Sequence, residues 1–340
     1  MSGELFSFQR YHLQLTIHNS SFTIMIKILA NDGIDPAGKQ LLEEAGFFID
    51  TNNIPQDELS LKLQNYDGIT VRSATKVRKA LIDACPNLKL IGRGGVGVDN
   101  IDVEYAKEKG IGVYNTPASS SLSVAELVFG HLFTGVRFLQ DSNRKMPVEG
   151  ATKFNDLKKA YAKGSELRGK TLGILGFGRI GREVAKIAIG VGMDVLAYDL
   201  YPFNPEVEIV LGGGTTVKVT ITTATQEEII KQSDFITIHT PFVDKPIIGS
   251  TEFEKMKKGA GVVNCSRGGL IDEEALITAL DSGKIAFAAL DVYDNEPTPR
   301  VDILTHPKIS LTPHIGASTN EAQERIGLEL ANLIIGHFKK

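Results

Sequence analysis

Tryptophan is absent from the 340 residues, cysteine occurs only as Cys85 and Cys265, and no apolar run approaches the roughly 18 residues that would span a membrane as a helix. The two cysteines stand in unlike contexts with no second pair to complete a zinc site or a disulfide framework, so a reducing cytoplasm and two packed thiols are expected. An excess of positive charge is missing too: 37 Lys and Arg face 41 Asp and Glu, a formal charge of -4. No overall field would then draw the chain to nucleic acid or an anionic membrane, so any anion it binds must be held locally. Residues 1–24 carry Phe6, Phe8, Tyr11 and Phe22 but neither the compact apolar core nor the small-residue cleavage site of a secretory signal. They read as an appendage ahead of a strand-like start at Met25–Ala30.

What is present is ordinary globular composition, 42% hydrophobic and 23% charged, in a chain long enough for two domains. Short apolar runs (Ile26–Ala30, Gly68–Val71, Leu88–Gly92, Ile111–Tyr114) alternate with amphipathic stretches at 36–45 and 76–83, the pattern of β/α units on a parallel sheet. Thr116-Pro117 closes that series. Apolar residues at Leu122, Ala125, Val128, Phe129, Leu132 and Phe133 then predict a long helix over 121–139 that bridges two domains. The polar segment 141–169 shows little periodicity and reads as an arm without a core of its own. A second β/α series opens at Thr171, is interrupted by hairpin grammar over 206–223, and ends in a helical pattern from Thr319 to about Phe338.

The second series carries the chemistry. Gly176-Phe177-Gly178-Arg179-Ile180-Gly181 lies between the apolar strand Leu172–Leu175 and a helical stretch, the setting a dinucleotide pyrophosphate requires. Gly176 permits the tight turn, Gly178 the approach of the backbone to the phosphates, and Gly181 the close packing of helix on strand. The anion would rest on the helix N-terminus, and Asp199, 18 residues after Gly181 at the end of the next apolar run, fits a ribose 2'-hydroxyl and repels a 2'-phosphate. NAD is therefore the expected cofactor.

Three further motifs follow in order: Asn264 to Asp272 (NCSRGGLID), Leu290 to Pro297 (LDVYDNEP) and Leu311 to Thr319 (LTPHIGAST). Together with Arg72 to Val77 (RSATKV), Gly92 to Asn100 (GRGGVGVDN) and Asn115-Thr116-Pro117, they resemble the D-2-hydroxyacid dehydrogenases from about residue 25 to the C-terminus, and the first half is most similar to the phosphoglycerate-oxidising branch. The resemblance implies an α/β fold of two parallel-sheet domains. A Rossmann NAD domain (118–312, with a dimerisation helix and arm at about 121–169) would be inserted in a flavodoxin-like substrate domain (25–117 and 313–340).

By the same resemblance His314 is the base that takes the hydroxyl proton, Glu296 the carboxylate that orients it, and Arg267 the guanidinium that grips the substrate carboxylate, roles that suit imidazole, carboxylate and planar cation chemistry. Val96, Arg179, Ile180, Thr240, Cys265, Asp291, Gly316 and Ala317 would line the cofactor site. Gly95, Val96 and Gly97 would bind the substrate carboxylate through backbone N–H groups. Arg72 and Arg93, with Arg137 delivered from the neighbouring subunit of a homodimer, would hold a substrate phosphate.

No metal site, nucleic acid or membrane partner is expected. The sequence departs from the family where a tryptophan-containing stretch is usual and Leu157–Lys163 stands instead, and in a longer 206–223 insertion; neither a C-terminal regulatory domain nor serine inhibition through one is expected. A glyoxylate or hydroxypyruvate reductase is the alternative enzyme, and an NAD(H)-sensing corepressor-like binding protein the alternative of another class.

Overall fold

The computed structural model describes residues 25–339 and the expected appendage 1–24 lies outside them. The first five strands, β1 (Lys27–Ala30), β2 (Phe48–Asp50), β3 (Gly68–Val71), β4 (Leu90–Arg93) and β5 (Gly112–Asn115), form one sheet in the order β2-β1-β3-β4-β5, with every pair parallel. This is the flavodoxin-like order. The later strands are β6 (Thr171–Leu175), β7 (Asp194–Tyr198), β8 (Glu206–Val210), β9 (Thr216–Thr220), β10 (Thr222–Thr223), β11 (Phe235–Ile238), β12 (Ala260–Asn264), β13 (Ile285–Leu290) and β14 (Ile309–Leu311). Seven of them make a second parallel sheet, β10-β7-β6-β11-β12-β13-β14, the doubly wound Rossmann order with one added strand.

Helices cover both faces, so central strands such as β3, β11 and β12 are buried along their whole length. That is why they read as continuous apolar runs rather than as alternation.

The helix Ser121–Arg137 buries Val124, Ala125, Val128, Phe129 and Leu132 against the second sheet and the helix Arg179–Gly190. It stops at Phe138, whose φ of 54° is left-handed. The segment read as an arm of little periodicity is helical from Leu139 to Ala160, with Pro147 inside it and a break at Lys153. Leu157 is its only buried residue, while Val148 and Phe154 are exposed. A helix that buries one residue leaves no 3.6-residue pattern to read.

The hairpin β8–β9 forms as expected and pairs antiparallel from Glu206↔Thr220 to Val210↔Thr216. It is tied to the nucleotide side of the fold: the Arg182 guanidinium donates to the Asn204 carbonyl at 2.6 Å and to that of Glu206, and the Phe177 and Phe203 rings lie 5.0 Å apart. The last helix, Asn320–Phe338, returns to the first sheet and packs on the helix Pro36–Glu44 so closely that a Cβ on Gly38 would collide with the Gly327 backbone.

Candidate active site

Both sheets direct the carboxyl ends of their strands at one cleft of about 420 Å³, where open α/β sheets place their ligands. Arg72 follows β3, Arg93 ends β4 and Gly94–Gly97 turns away from it. Facing them, the Gly176–Gly181 loop follows β6, Thr240 follows β11, Cys265 and Arg267 follow β12, Asp291 follows β13, and His314, Gly316 and Ala317 follow β14. Sequence separations above 200 residues thus collapse to contacts.

Two of the candidate residues form a pair. His314 Nδ1 lies 2.9 Å from Glu296 Oε2, and because a carboxylate only accepts, Nδ1 carries the proton and Nε2 is left with no partner among the described residues. Burial works to raise the Glu296 carboxyl. The His314 bond and charge, the Tyr293 N–H and the Arg267 charge outweigh it and hold the carboxyl below the usual glutamate range. His314 itself has a φ of 56°, a left-handed conformation that is uncommon for a side chain of this size.

Arg267 reaches across the cleft. Its Nε donates to Asp99 Oδ2 at 2.8 Å and one terminal nitrogen to its neighbour's carbonyl, Ser266 O, at 2.7 Å. A Cβ on Gly97 would collide with the other terminal nitrogen, so only glycine lets the guanidinium lie on this turn. Arg267 and His314 also line an adjoining hollow of about 530 Å³ with Phe242, Val243 and Glu296.

Arg93 has no carboxylate hydrogen-bonded or ion-paired to it among the described residues. One terminal nitrogen donates to Gly94 O at 3.1 Å, its Nε is buried without a partner, and burial together with the Arg267 and Arg72 charges pushes its pKa down to about 10. Arg72 makes no ion pair either, although Asp32 accepts its backbone N–H at 2.6 Å and fixes the turn that presents it. Like charges gathered this way call for an anion. Arg137 does not line this chain's cleft and lies instead beside Gly164.

The residues on the second sheet fit a dinucleotide. A Cβ on Gly178 would meet nothing within 4 Å, and the φ there is -73°, so neither packing nor backbone conformation demands glycine. The open space would admit a ligand on the N-terminus of the helix Arg179–Gly190. Gly181, by contrast, is required by the protein, since a Cβ would strike Gly176 O. Asp199 Oδ2 accepts from the Phe177 N–H at 2.8 Å, which sets the loop against the end of β7. Thr240 Oγ1 and His239 Nδ1 are buried in the cleft wall without partners.

Asp291 is buried and spends its oxygens on the chain itself, accepting from Thr312 Oγ1 at 2.6 Å, Ile315 N at 2.8 Å and Gly316 N at 2.8 Å. It thus holds the His314 loop while lining the cleft. The Cys265 thiol is raised well above its usual range by burial and by Asp291, which fits a packed wall residue. Asp99 was visible in a quoted motif but without a role, and nothing in the sequence singles out Phe242 or Val243. No cluster of His, Cys, Asp and Glu among the described residues could hold a metal.

The sequence profile described as "D-isomer specific 2-hydroxyacid dehydrogenase, NAD binding domain" matches residues 129–316. The chain is 43% identical over 312 residues to D-3-phosphoglycerate dehydrogenase of Methanocaldococcus jannaschii, covering 91% of this chain and 57% of that protein, so it spans little more than half of that relative. It is 41% identical to hydroxypyruvate reductase of Thermotoga maritima, covering 91% of this chain and 97% of the relative. A glyoxylate reductase from Paecilomyes thermophila superposes with a TM-score of 0.77 at 30% identity, covering 93% of this chain and 96% of that one. With profile, relatives and strand order in agreement, the chain belongs to the D-isomer specific 2-hydroxyacid dehydrogenase family.

Proposed function

We propose that the chain is an NAD-dependent dehydrogenase that oxidises D-3-phosphoglycerate to 3-phosphohydroxypyruvate, the entry to serine synthesis. The observation that carries the reading is the Glu296–His314 pair beside Arg267, in one cleft with two arginines that form no ion pair among the described residues. When bound, the dinucleotide supplies a hydride acceptor. The free Nε2 of His314 takes the C2 hydroxyl proton, and Glu296 stabilises the imidazolium that results. Arg267 holds the substrate carboxylate against the Gly95–Gly97 turn, and Asp99 keeps the guanidinium aimed while the site waits. Arg72 and Arg93 take the phosphate, since guanidinium forks match its oxygens.

Residues 25–117 with 313–340 would act as the substrate domain and 118–312 as the NAD domain, closing on the cleft between them. The exposed apolar residues of the helix Leu139–Ala160 would pack across a two-fold axis, delivering Arg137 to the neighbouring cleft. Hydroxypyruvate reduction is the competing reading, favoured by the near-full-length match to the Thermotoga maritima reductase. The deciding experiment measures kcat/KM for 3-phosphohydroxypyruvate, hydroxypyruvate and glyoxylate with NADH. A preference for the phosphorylated acid supports the first reading, and equal or better use of hydroxypyruvate supports the second.

A further inference from the structure

We infer that His131, on the helix Ser121–Arg137, is a positioning residue for His314 that fixes the proton order of a hydrogen-bond chain holding the His314 loop. The inference rests on the dehydrogenase reading above for its catalytic consequence and on geometry alone for its structural one.

His131 is buried. Its Nε2 lies 3.0 Å from Thr312 Oγ1 and its Nδ1 2.9 Å from Ser310 Oγ. Thr312 Oγ1 in turn donates to Asp291 Oδ1 at 2.6 Å. An ionised carboxylate only accepts, so the single hydroxyl proton of Thr312 goes to Asp291. His131 Nε2 must then carry a proton and donate to Thr312, and Nδ1, bare in the neutral ring, accepts from the Ser310 hydroxyl. The chain therefore runs in one direction, Ser310 to His131 to Thr312 to Asp291. Burial lowers the His131 pKa, opposed by the Asp291 charge, which agrees with a neutral ring.

Asp291 also accepts the N–H groups of Ile315 and Gly316. Thr312 precedes His314 by two residues and Ile315 follows it, so Asp291 holds the loop on both sides of the left-handed imidazole residue. Such a conformation persists only where its surroundings over-determine it. The same helix grips the loop a second time, through Ser123 Oγ donating to Gly316 O at 2.6 Å. A leucine at 131 would fill much the same space yet leave the Thr312 hydroxyl free to rotate away from Asp291.

The test uses the full chain with His131→Leu, His131→Gln, Thr312→Val and the His131→Leu, Thr312→Val double variant. Gln retains a donor and an acceptor. His131→Leu should lower kcat about 2- to 12-fold, the range of one lost hydrogen bond, with KM for the hydroxy acid within about twofold. His131→Gln should recover most of the loss, and the double variant should be no slower than Thr312→Val alone. In cofactor-free protein the NMR signals of the His314 ring should move in His131→Leu and stay in place in His131→Gln. A lower Tm with kcat and the His314 signals unchanged would overturn the inference, as would additive losses in the double variant.

If His131→Leu does not fold, His131→Met takes its place, alone and with Thr312→Val, with the same expectations and refutations. Were the wild-type chain to turn over no 2-hydroxy acid, the dehydrogenase reading would fall, and the His314 signals would still decide this one.

Discussion

At the end of β6 the turn Gly176–Gly181 offers backbone N–H groups and a helix N-terminus, whereas at the end of β4 the turn Gly94–Gly97 lies among guanidinium groups. Both face the same cleft and both suit anions. Under the proposed assignment the first holds its anion with backbone N–H groups and the open space above Gly178 rather than with a cationic side chain. The second has a skeleton of glycines required by the arginines themselves, since a Cβ on Gly95 would collide with Arg93 and one on Gly97 with Arg267. Backbone sites recognise a group common to many substrates, while side-chain sites can be retuned one residue at a time.

The largest effect belongs to the centre between the two turns. His314→Asn should lower kcat by about 10²- to 10⁴-fold for phosphorylated and unphosphorylated acids alike, because the proton transfer is common to both. Steady-state rates with each acid check this, and a loss confined to one acid would move His314 from the chemistry to recognition.

Gly178→Val sharpens the backbone side. A Cβ there meets no protein atom within 4 Å and the φ of -73° suits any residue, so Tm should hold within about 2 °C, whereas NADH affinity, read by fluorescence titration, should fall at least about tenfold on losing the close approach. Unchanged affinity would remove the dinucleotide from this loop.

The arginine side is graded. Arg72→Ala and Arg93→Ala should each cost roughly 1.5–3 kcal/mol, about 10- to 150-fold in kcat/KM, with 3-phosphohydroxypyruvate, and far less with hydroxypyruvate. Equal losses would dissolve the contrast between the turns and favour the general reductase.

The smallest effect is on stability. The folded pKa of Glu296 lies below its unfolded value, so its contribution is fully present above about pH 4.3 and is lost as pH falls through the folded value. Urea unfolding of wild type and Glu296→Gln should therefore differ most above that pH and converge below it. A difference that grows on acidification would contradict the assignment.

Residues that do their work locally were legible in the sequence. The glycine loop, the hairpin and the helix Ser121–Arg137 follow from turn chemistry and periodicity within a window of about twenty residues. The candidate set Arg267, Glu296 and His314 could be picked out through motif order, and each of the three lies close after a strand end. What remained hidden depends on distant partners. Asp99 and Arg267 are 168 positions apart, His131 and Thr312 181. His131 on an otherwise apolar helix face gives no sign of the hydroxyl groups it will meet. The helix Leu139–Ala160 was hidden for the opposite reason, since almost nothing in the described chain covers it.

The Phe177 N–H bond to Asp199 bears on how a lineage could change its reductant. Under the proposed assignment that carboxylate guards the ribose and also anchors the phosphate loop. A single substitution to a small apolar residue, the shortest route to admitting a 2'-phosphate, strands a loop amide at the same stroke. Side chains that keep an oxygen acceptor, serine or asparagine, are the accessible intermediates, and drift at this position is therefore channelled through them before any preference can reverse.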